Sequence, residues 1–370
     1  MRLAIVHDYL NQYGGAERVV ETLHELYPDA PIYTSIYTPN TMPDSFKEMD
    51  IRTSFMQKFP FLGKYFKYYL LFYPIAIESL NLSGYDVILS SSSAFAKGAK
   101  TEKGALHICY CYTPARFVWD YDNYVKKEEL PKLISKILPL AIKRLRRWDL
   151  KTISKIDYFI AISNNISNKI KKFYNRDSVV IYPPVEISIF DIQKGVDDYF
   201  LIVSRLNSYK NIDLAIRAFN LIDLKLKIVG VGPFRKTLEQ LAKGSNIEFL
   251  GKVTDEKLIK LYGRCRALIF PGEEDFGITP LEAQASGRPV IAYAKGGSVE
   301  TIIDGKTGIF FKENNHKSLL KAIEQFIEIE DSFDKKMVRE NALRFSAEIF
   351  KEKIKTFIDQ KYSEHTNKNI

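Results

Sequence analysis

Short, mostly apolar runs alternate along the chain with longer segments in which apolar residues recur every three or four positions. Runs over 3–7, 86–89, 106–111, 158–162 and 179–182 predict strands buried in a mostly parallel sheet. Between the first two, Val19, Val20, Leu23, Leu26 and Tyr27 fall on one face of a helix predicted over 16–27. Pro183-Pro184 before Val185 interrupts any regular element and predicts a hinge. The pattern then restarts, with strands predicted over 199–204, 225–229, 247–250, 268–270 and 290–293. Strand and helix alternating in two series give an α/β fold of two Rossmann-like parallel-sheet domains facing a cleft, 1–184 and 185–345. A last helical stretch within 346–370 is expected to return to the first domain before a polar tail.

Composition agrees with two cores: 370 residues, 46% hydrophobic and 27% charged. The most apolar segment, 55–74, is broken by Lys58, Lys64, Lys67, two prolines and a glycine. It is no membrane span; it fits either an interfacial segment or a core element whose lysines snorkel to water. Formal charge is +9, with fourteen Lys or Arg against five Asp or Glu between Lys126 and Asp177. An anionic membrane surface, nucleic acid and a solvated helix face all suit that sector, and no nucleic-acid-binding motif accompanies it. Cys109, Cys111 and Cys265 make neither a disulfide framework nor a zinc pattern. With a strand predicted from Leu3 and no signal-peptide run, a cytoplasmic protein is expected.

The chemistry concentrates in PGEEDFGITPLEAQASGRPV, Pro271 to Val290. It reads as a strand, a loop, a helix and a further strand, with the loop at the carboxyl edge of a parallel sheet, where helix-terminal amides suit a diphosphate. Thr279-Pro280-Leu281-Glu282 predicts a capping box with threonine at the N-cap and glutamate three residues on. Nothing local requires Glu274. Gly14-Gly15 lets backbone amides approach a phosphate, or merely makes a turn. Arg205 and Lys210 follow a strand's carboxyl end, where two cations can clamp a diphosphate. Gly230-Val-Gly232 lacks the third glycine of a dinucleotide fingerprint and reads as a turn.

Together HDYLNQYGGAERVVETL, CYTPARFVWD, IYPPVE, SRLNSYKN and EEDFGITPLEAQASGRPVIAYAKGGSVETIIDGKTGIFF resemble glycosyltransferase family 4, the large retaining family with the GT-B fold. The resemblance covers nearly the whole chain, and its E-x7-E signature falls on Glu274 and Glu282. It implies that Glu274 meets the donor sugar and Glu282 the nucleotide ribose, the latter competing with the capping role. It implies that the amides of Phe276, Gly277, Ile278 and Thr279 meet the distal phosphate. Arg205 and Lys210 match the diphosphate pair, Gly15 the phosphate-approaching glycine, and Val253 a position beside the base. Overall similarity to mannosyltransferases of surface-polysaccharide assembly implies a GDP-mannose donor and a lipid-linked glycan acceptor, with UDP or dTDP sugars as alternatives. A cytoplasmic enzyme at the inner face of the membrane follows, touching anionic lipid and binding no nucleic acid. A degenerate domain that binds without turnover is the competing reading.

One departure stands out: the family usually carries histidine where this chain has Tyr112, in Cys111-Tyr112-Thr113-Pro114. Tyr112 and Arg116 are candidate contacts to sugar or acceptor. His107, five residues earlier on the same strand, points to the opposite face and is a poor substitute. Asp120-Tyr-Asp122 matches a metal-binding DxD triplet of another glycosyltransferase fold, a match common by chance. No cofactor and no metal dependence are expected.

Overall fold

The computed structural model describes residues 1–120 and 132–368. The chain divides into two compact units, one of residues 1–184 with 348–370, the other of 185–347. Each is built on a parallel sheet.

In the first unit the strands are β1 (Leu3–His7), β2 (Ile32–Thr34), β3 (Ile51–Thr53), β4 (Val87–Ser92), β5 (Leu106–Cys111), β6 (Tyr158–Ala161) and β7 (Ser178–Val180). They lie in the order β3-β2-β1-β4-β5-β6-β7. All neighbouring pairs are parallel. β1, β4 and β5 are buried along their whole length, as in a sheet covered on both faces, and β4 buries Ser90, Ser91 and Ser92 beside its apolar half. The predicted first helix forms over Gly15–Leu26 and buries Val19, Val20 and Leu23. β2 and β3 were not predicted; β3 carries Arg52 and Thr53 toward solvent.

Asp8, Lys97 and Asp149, charged and buried in this unit, each have partners. Asp8, just beyond β1, accepts backbone N–H bonds from Ser93, Ala94, Phe95 and Ala96 and the Ser93 hydroxyl, at 2.6–3.0 Å. Lys97, fully buried, pairs with Asp149 at 2.7 Å. Asp149 lies on the helix Lys132–Ile153 and also takes the Trp119 indole N–H at 2.7 Å and the Tyr174 hydroxyl at 2.8 Å. Removing one partner of such a pair costs about 3–5 kcal/mol, because the other is left charged and dry. The C-terminal helix, Ala347–Lys368, packs here as well: Phe350 meets Tyr110, Phe357 meets Tyr158, and Lys351 pairs with Glu25 at 2.7 Å.

The aromatic segment resolves into short turns, Phe55–Lys58, Leu62–Tyr65, Phe66–Tyr69 and Tyr73–Glu78. It divides its side chains. Phe59, Phe66, Tyr69 and Tyr73 pack toward the core, whereas Phe61, Tyr68, Leu71, Phe72 and Ile75 face water, Phe61 at 78% exposure. Among the described residues no helix is long and apolar enough to cross a membrane.

The second unit orders β8 (Phe200–Val203), β9 (Leu226–Val229), β10 (Ile247–Gly251), β11 (Leu268–Phe270), β12 (Val290–Tyr293) and β13 (Gly308–Phe311) as β10-β9-β8-β11-β12-β13, all parallel. β13 was not predicted. Its core gathers Phe200, Ile202, Ile228, Ile269, Ile291 and Phe326. Cys109, Cys111 and Cys265 are buried free thiols.

Candidate active site

Strands that run parallel end on one edge, so the loops after β8, β9, β10, β11 and β12 share the carboxyl edge of the second unit's sheet. Arg205 follows β8, Val253 follows β10, and Glu274, Phe276, Gly277, Ile278 and Thr279 follow β11. The predicted residues of this unit are therefore brought to one edge by topology.

The loop after β8 turns through the short helix Ser208–Lys210 and then Asn211, which adopts φ 54°, before the helix Ile212–Phe219 begins. That turn carries Lys210 to Glu274, whose carboxylate pairs with its ammonium; side-chain exposures are 15% and 24%. A cation and an anion are thus held together, partly dried, beside a helix start. Neither local sequence contains the other.

The helix after β11 spans Ile278–Ala285, and its N-cap is Gly277 at φ 90°, ψ 95°. The predicted capping box is therefore corrected: Thr279 lies inside the helix, and Glu282 falls on its second turn. The chain reaches the helix through a backbone conformation that glycine tolerates and threonine does not, which moves the start two residues earlier. Ile278 and Thr279 present the unpaired amides of the first turn. Glu282, 7% exposed, accepts a 2.7 Å hydrogen bond from the hydroxyl of Tyr262, on the helix Asp255–Arg264. That partner was not legible beforehand, since a tyrosine twenty residues away carries no local mark. Val253, half-buried, sits in the turn that Thr254 caps.

Two glycine pairs complete this edge. Gly230 has φ 133°, and any Cβ there or at Gly232 would overlap the carbonyls of Ser204 and Leu206, which flank Arg205. The turn predicted at Gly230-Val-Gly232 thus has a packing reason. Gly296 pairs with Glu274 as an isolated parallel bridge, and the Gly297 amide donates to the Glu274 carbonyl at 2.8 Å. Their sequence signal, the Gly-Gly of AKGGSVE, was visible but carried no assigned role.

In the first unit, Gly14 is the extended N-cap of the helix Gly15–Leu26, with Gly15 exposed. Tyr112 follows β5 and is 9% exposed; its hydroxyl donates to the Ala16 carbonyl at 3.0 Å and lies 2.8 Å from the Ser91 hydroxyl. Burial pushes its pKa up, so it remains a donor. Ser91 Oγ in turn lies 3.0 Å from His7 Nδ1, and His7 Nε2 faces Glu17 at 3.8 Å. Tyr112 therefore ties the end of β5 to the glycine turn. Arg116 opens the short helix Arg116–Trp119. His107 points into the core, fully buried, with Nε2 at 2.9 Å from Ser90 Oγ and its pKa lowered to about 4 by desolvation. In the Asp120-Tyr-Asp122 triplet, residues 121 and 122 lie outside the described residues.

The family model for Glycosyltransferase Family 4 matches residues 13–189, and that for Glycosyl transferases group 1 matches 186–344. A glycosyltransferase of Methanocaldococcus jannaschii is 26% identical across 98% of both chains. The alpha-1,3/1,6-mannosyltransferase of Mus musculus is 26% identical across 85% of each. Among solved structures, sucrose-phosphate synthase from Thermosynechococcus elongatus matches with a TM-score of 0.78 at 17% identity, over 98% of this chain and 100% of the other. HepE of Anabaena, in complex with UDP and glucose, gives 0.73 at 17%, over 97% and 99%. At such identity the structural likeness speaks for the fold alone.

Proposed function

The chain belongs to the family 4 glycosyltransferases and has the GT-B fold, and on that premise we propose that it moves a hexose from a nucleotide diphosphate sugar to a lipid-linked or polysaccharide acceptor, retaining anomeric configuration. The observation that carries the reading is the convergence of Arg205, Lys210, Glu274 and the helix start at Ile278 on one sheet edge.

Their chemistry fits the leaving group. Breaking the bond between the sugar's anomeric carbon and the phosphate oxygen leaves extra negative charge on the diphosphate. Cations and amides fixed around it gain strength at the transition state. A helix terminus contributes roughly 0.3–2 kcal/mol, so Arg205 and Lys210 supply much of the remainder. The acceptor hydroxyl attacks from the face the diphosphate leaves, and its proton passes to a phosphate oxygen. Glu274 holds the sugar's hydroxyls and Glu282 the ribose. No metal is required in this scheme.

Similarity to a mannosyltransferase supports mannose, from GDP-mannose, as the donor, with UDP and dTDP sugars as the competing donors. The outward Phe61, Tyr68, Leu71, Phe72 and Ile75, in a segment that also carries three lysines, support contact with an anionic bilayer at the cytoplasmic face, where a lipid-linked acceptor would lie. Calorimetric titration with GDP, UDP, ADP and dTDP, with and without EDTA, tests the donor. Preferential GDP binding that survives EDTA is expected. UDP preference would replace the donor; binding to none would leave a degenerate domain.

A further inference from the structure

Glu274 stands in a loop between β11 and the helix at Ile278, and its side-chain position depends on how that backbone is held. The support comes from the next loop. Gly297 donates its amide to the Glu274 carbonyl at 2.8 Å, and Gly296 pairs with Glu274 in a parallel bridge. The approach leaves no room for a side chain. A Cβ on Gly296 would overlap the Glu274 carbonyl oxygen; one on Gly297 would lie 2.6 Å from the Phe276 carbonyl carbon and closer still to its Cα and oxygen.

The two glycines differ in an informative way. Gly296 has φ +70°, a conformation that favours glycine whatever surrounds it. Gly297 has φ −70° and ψ −18°, ordinary helical geometry at the N-cap of Ser298–Thr301. Its own conformation would accept alanine without strain, so only the nearness of Phe276 excludes a side chain. The loop is itself tied down: the Ser298 hydroxyl shares its hydrogen bond between the Tyr293 carbonyl at 2.6 Å and the Lys295 carbonyl at 2.9 Å.

We propose that Gly296 and Gly297 are positioning residues of the transfer site, setting where the Glu274 carboxylate and the Phe276 and Gly277 amides stand beside Lys210. The proposal rests on the reading of Glu274 and these amides as the sugar and distal-phosphate contacts. A side chain at Gly297 pushes the loop while leaving the pocket for the nucleoside, at Glu282, in place.

The test compares Gly297→Ala with Gly305→Ala, whose φ is +71° but whose Cβ would meet nothing within 4 Å. Transfer rates are measured beside the affinity for GMP or UMP, according to which diphosphate the wild type takes. A displacement on the order of 1 Å costs about a hundredfold in rate. Gly297→Ala is expected to lose about 10- to 100-fold in kcat/KM with monophosphate affinity changed less than about threefold, and Gly305→Ala to keep its transfer rate. Unchanged transfer in Gly297→Ala, or equal losses in transfer and monophosphate binding, would overturn the positioning role. Should Gly297→Ala not fold, Ser298→Ala loosens the same loop without adding an atom. It is expected to lower kcat about 3- to 10-fold at unchanged monophosphate affinity, and an unaltered kcat would sink the proposal. A wild type that neither binds nucleotide nor transfers sugar overturns the donor-site reading beneath it instead.

Discussion

Lys210 and Glu274, sixty-four residues apart, form an ion pair at the carboxyl edge of the second sheet. The ammonium assigned to the diphosphate is thus already shared with the carboxylate assigned to the sugar. An incoming diphosphate has to compete for it.

Glu274→Gln removes that competition. Partly exposed pairs are worth roughly 0.2–1 kcal/mol, so free nucleoside diphosphate is expected to bind up to about fivefold tighter, while transfer falls by about a hundredfold or more. Lys210→Ala is expected to weaken both. Titration and initial rates on the two variants check this; a collapse of nucleotide affinity in Glu274→Gln would contradict the sugar-side role.

Tyr262 gives Glu282 its hydrogen bond. Tyr262→Phe leaves a buried carboxylate short of a donor, at about 1–3 kcal/mol. Affinity for nucleoside diphosphate is expected to fall about tenfold with the thermal midpoint lowered by several degrees. Unaltered affinity in a destabilised protein would confine Glu282 to a structural role.

Tyr112→Phe deletes the bond to the Ala16 carbonyl. A loss of about 1 kcal/mol in stability is expected, together with slower transfer if the glycine turn meets the phosphate. Tyr112→His, restoring the residue usual in the family, cannot reach both Ala16 and Ser91 and is expected to be no more stable than Tyr112→Phe. Urea unfolding and rate assays separate the two effects.

His107 is held neutral, its pKa lowered to about 4 by burial. Unfolded, it titrates near 6.5, so between those values the unfolded chain binds more protons than the folded one. Its contribution is complete above about pH 6.5 and is lost as the pH falls toward 4, up to on the order of 3 kcal/mol. The stability difference between wild type and His107→Gln, measured by urea unfolding from pH 7 to 4.5, is expected to shrink with acidification. A constant difference would place the charge elsewhere.

The sequence was most readable where a signal is local. β1 and β5 announced themselves as apolar runs with a single histidine each, because both faces of each strand are covered. β13, Gly308–Phe311, was missed because its run opens on a glycine. The helix after β11 began early because Gly277 takes φ 90°, which no rule of side-chain capping anticipates. The candidate site residues were read from the E-x7-E block and from separate motifs such as SRLNSYKN, yet the contacts that join them were not. Lys210 with Glu274, Tyr262 with Glu282, and Gly297 against Phe276 are products of topology, each joining segments distant in sequence that the parallel sheet brings side by side.

The helix Ala347–Lys368 has its own consequence for how the protein is made. Residues 185–347 are contiguous, whereas the unit of 1–184 is completed by residues beyond them. On a ribosome adding about 5–20 residues per second, the earlier unit waits on the order of ten to thirty seconds for Phe350 and Phe357 to cover Tyr110 and Tyr158. The domain synthesised second can finish first. Until then the nascent first domain bears an uncovered aromatic face, a natural stretch for chaperones to hold and for proteases to find.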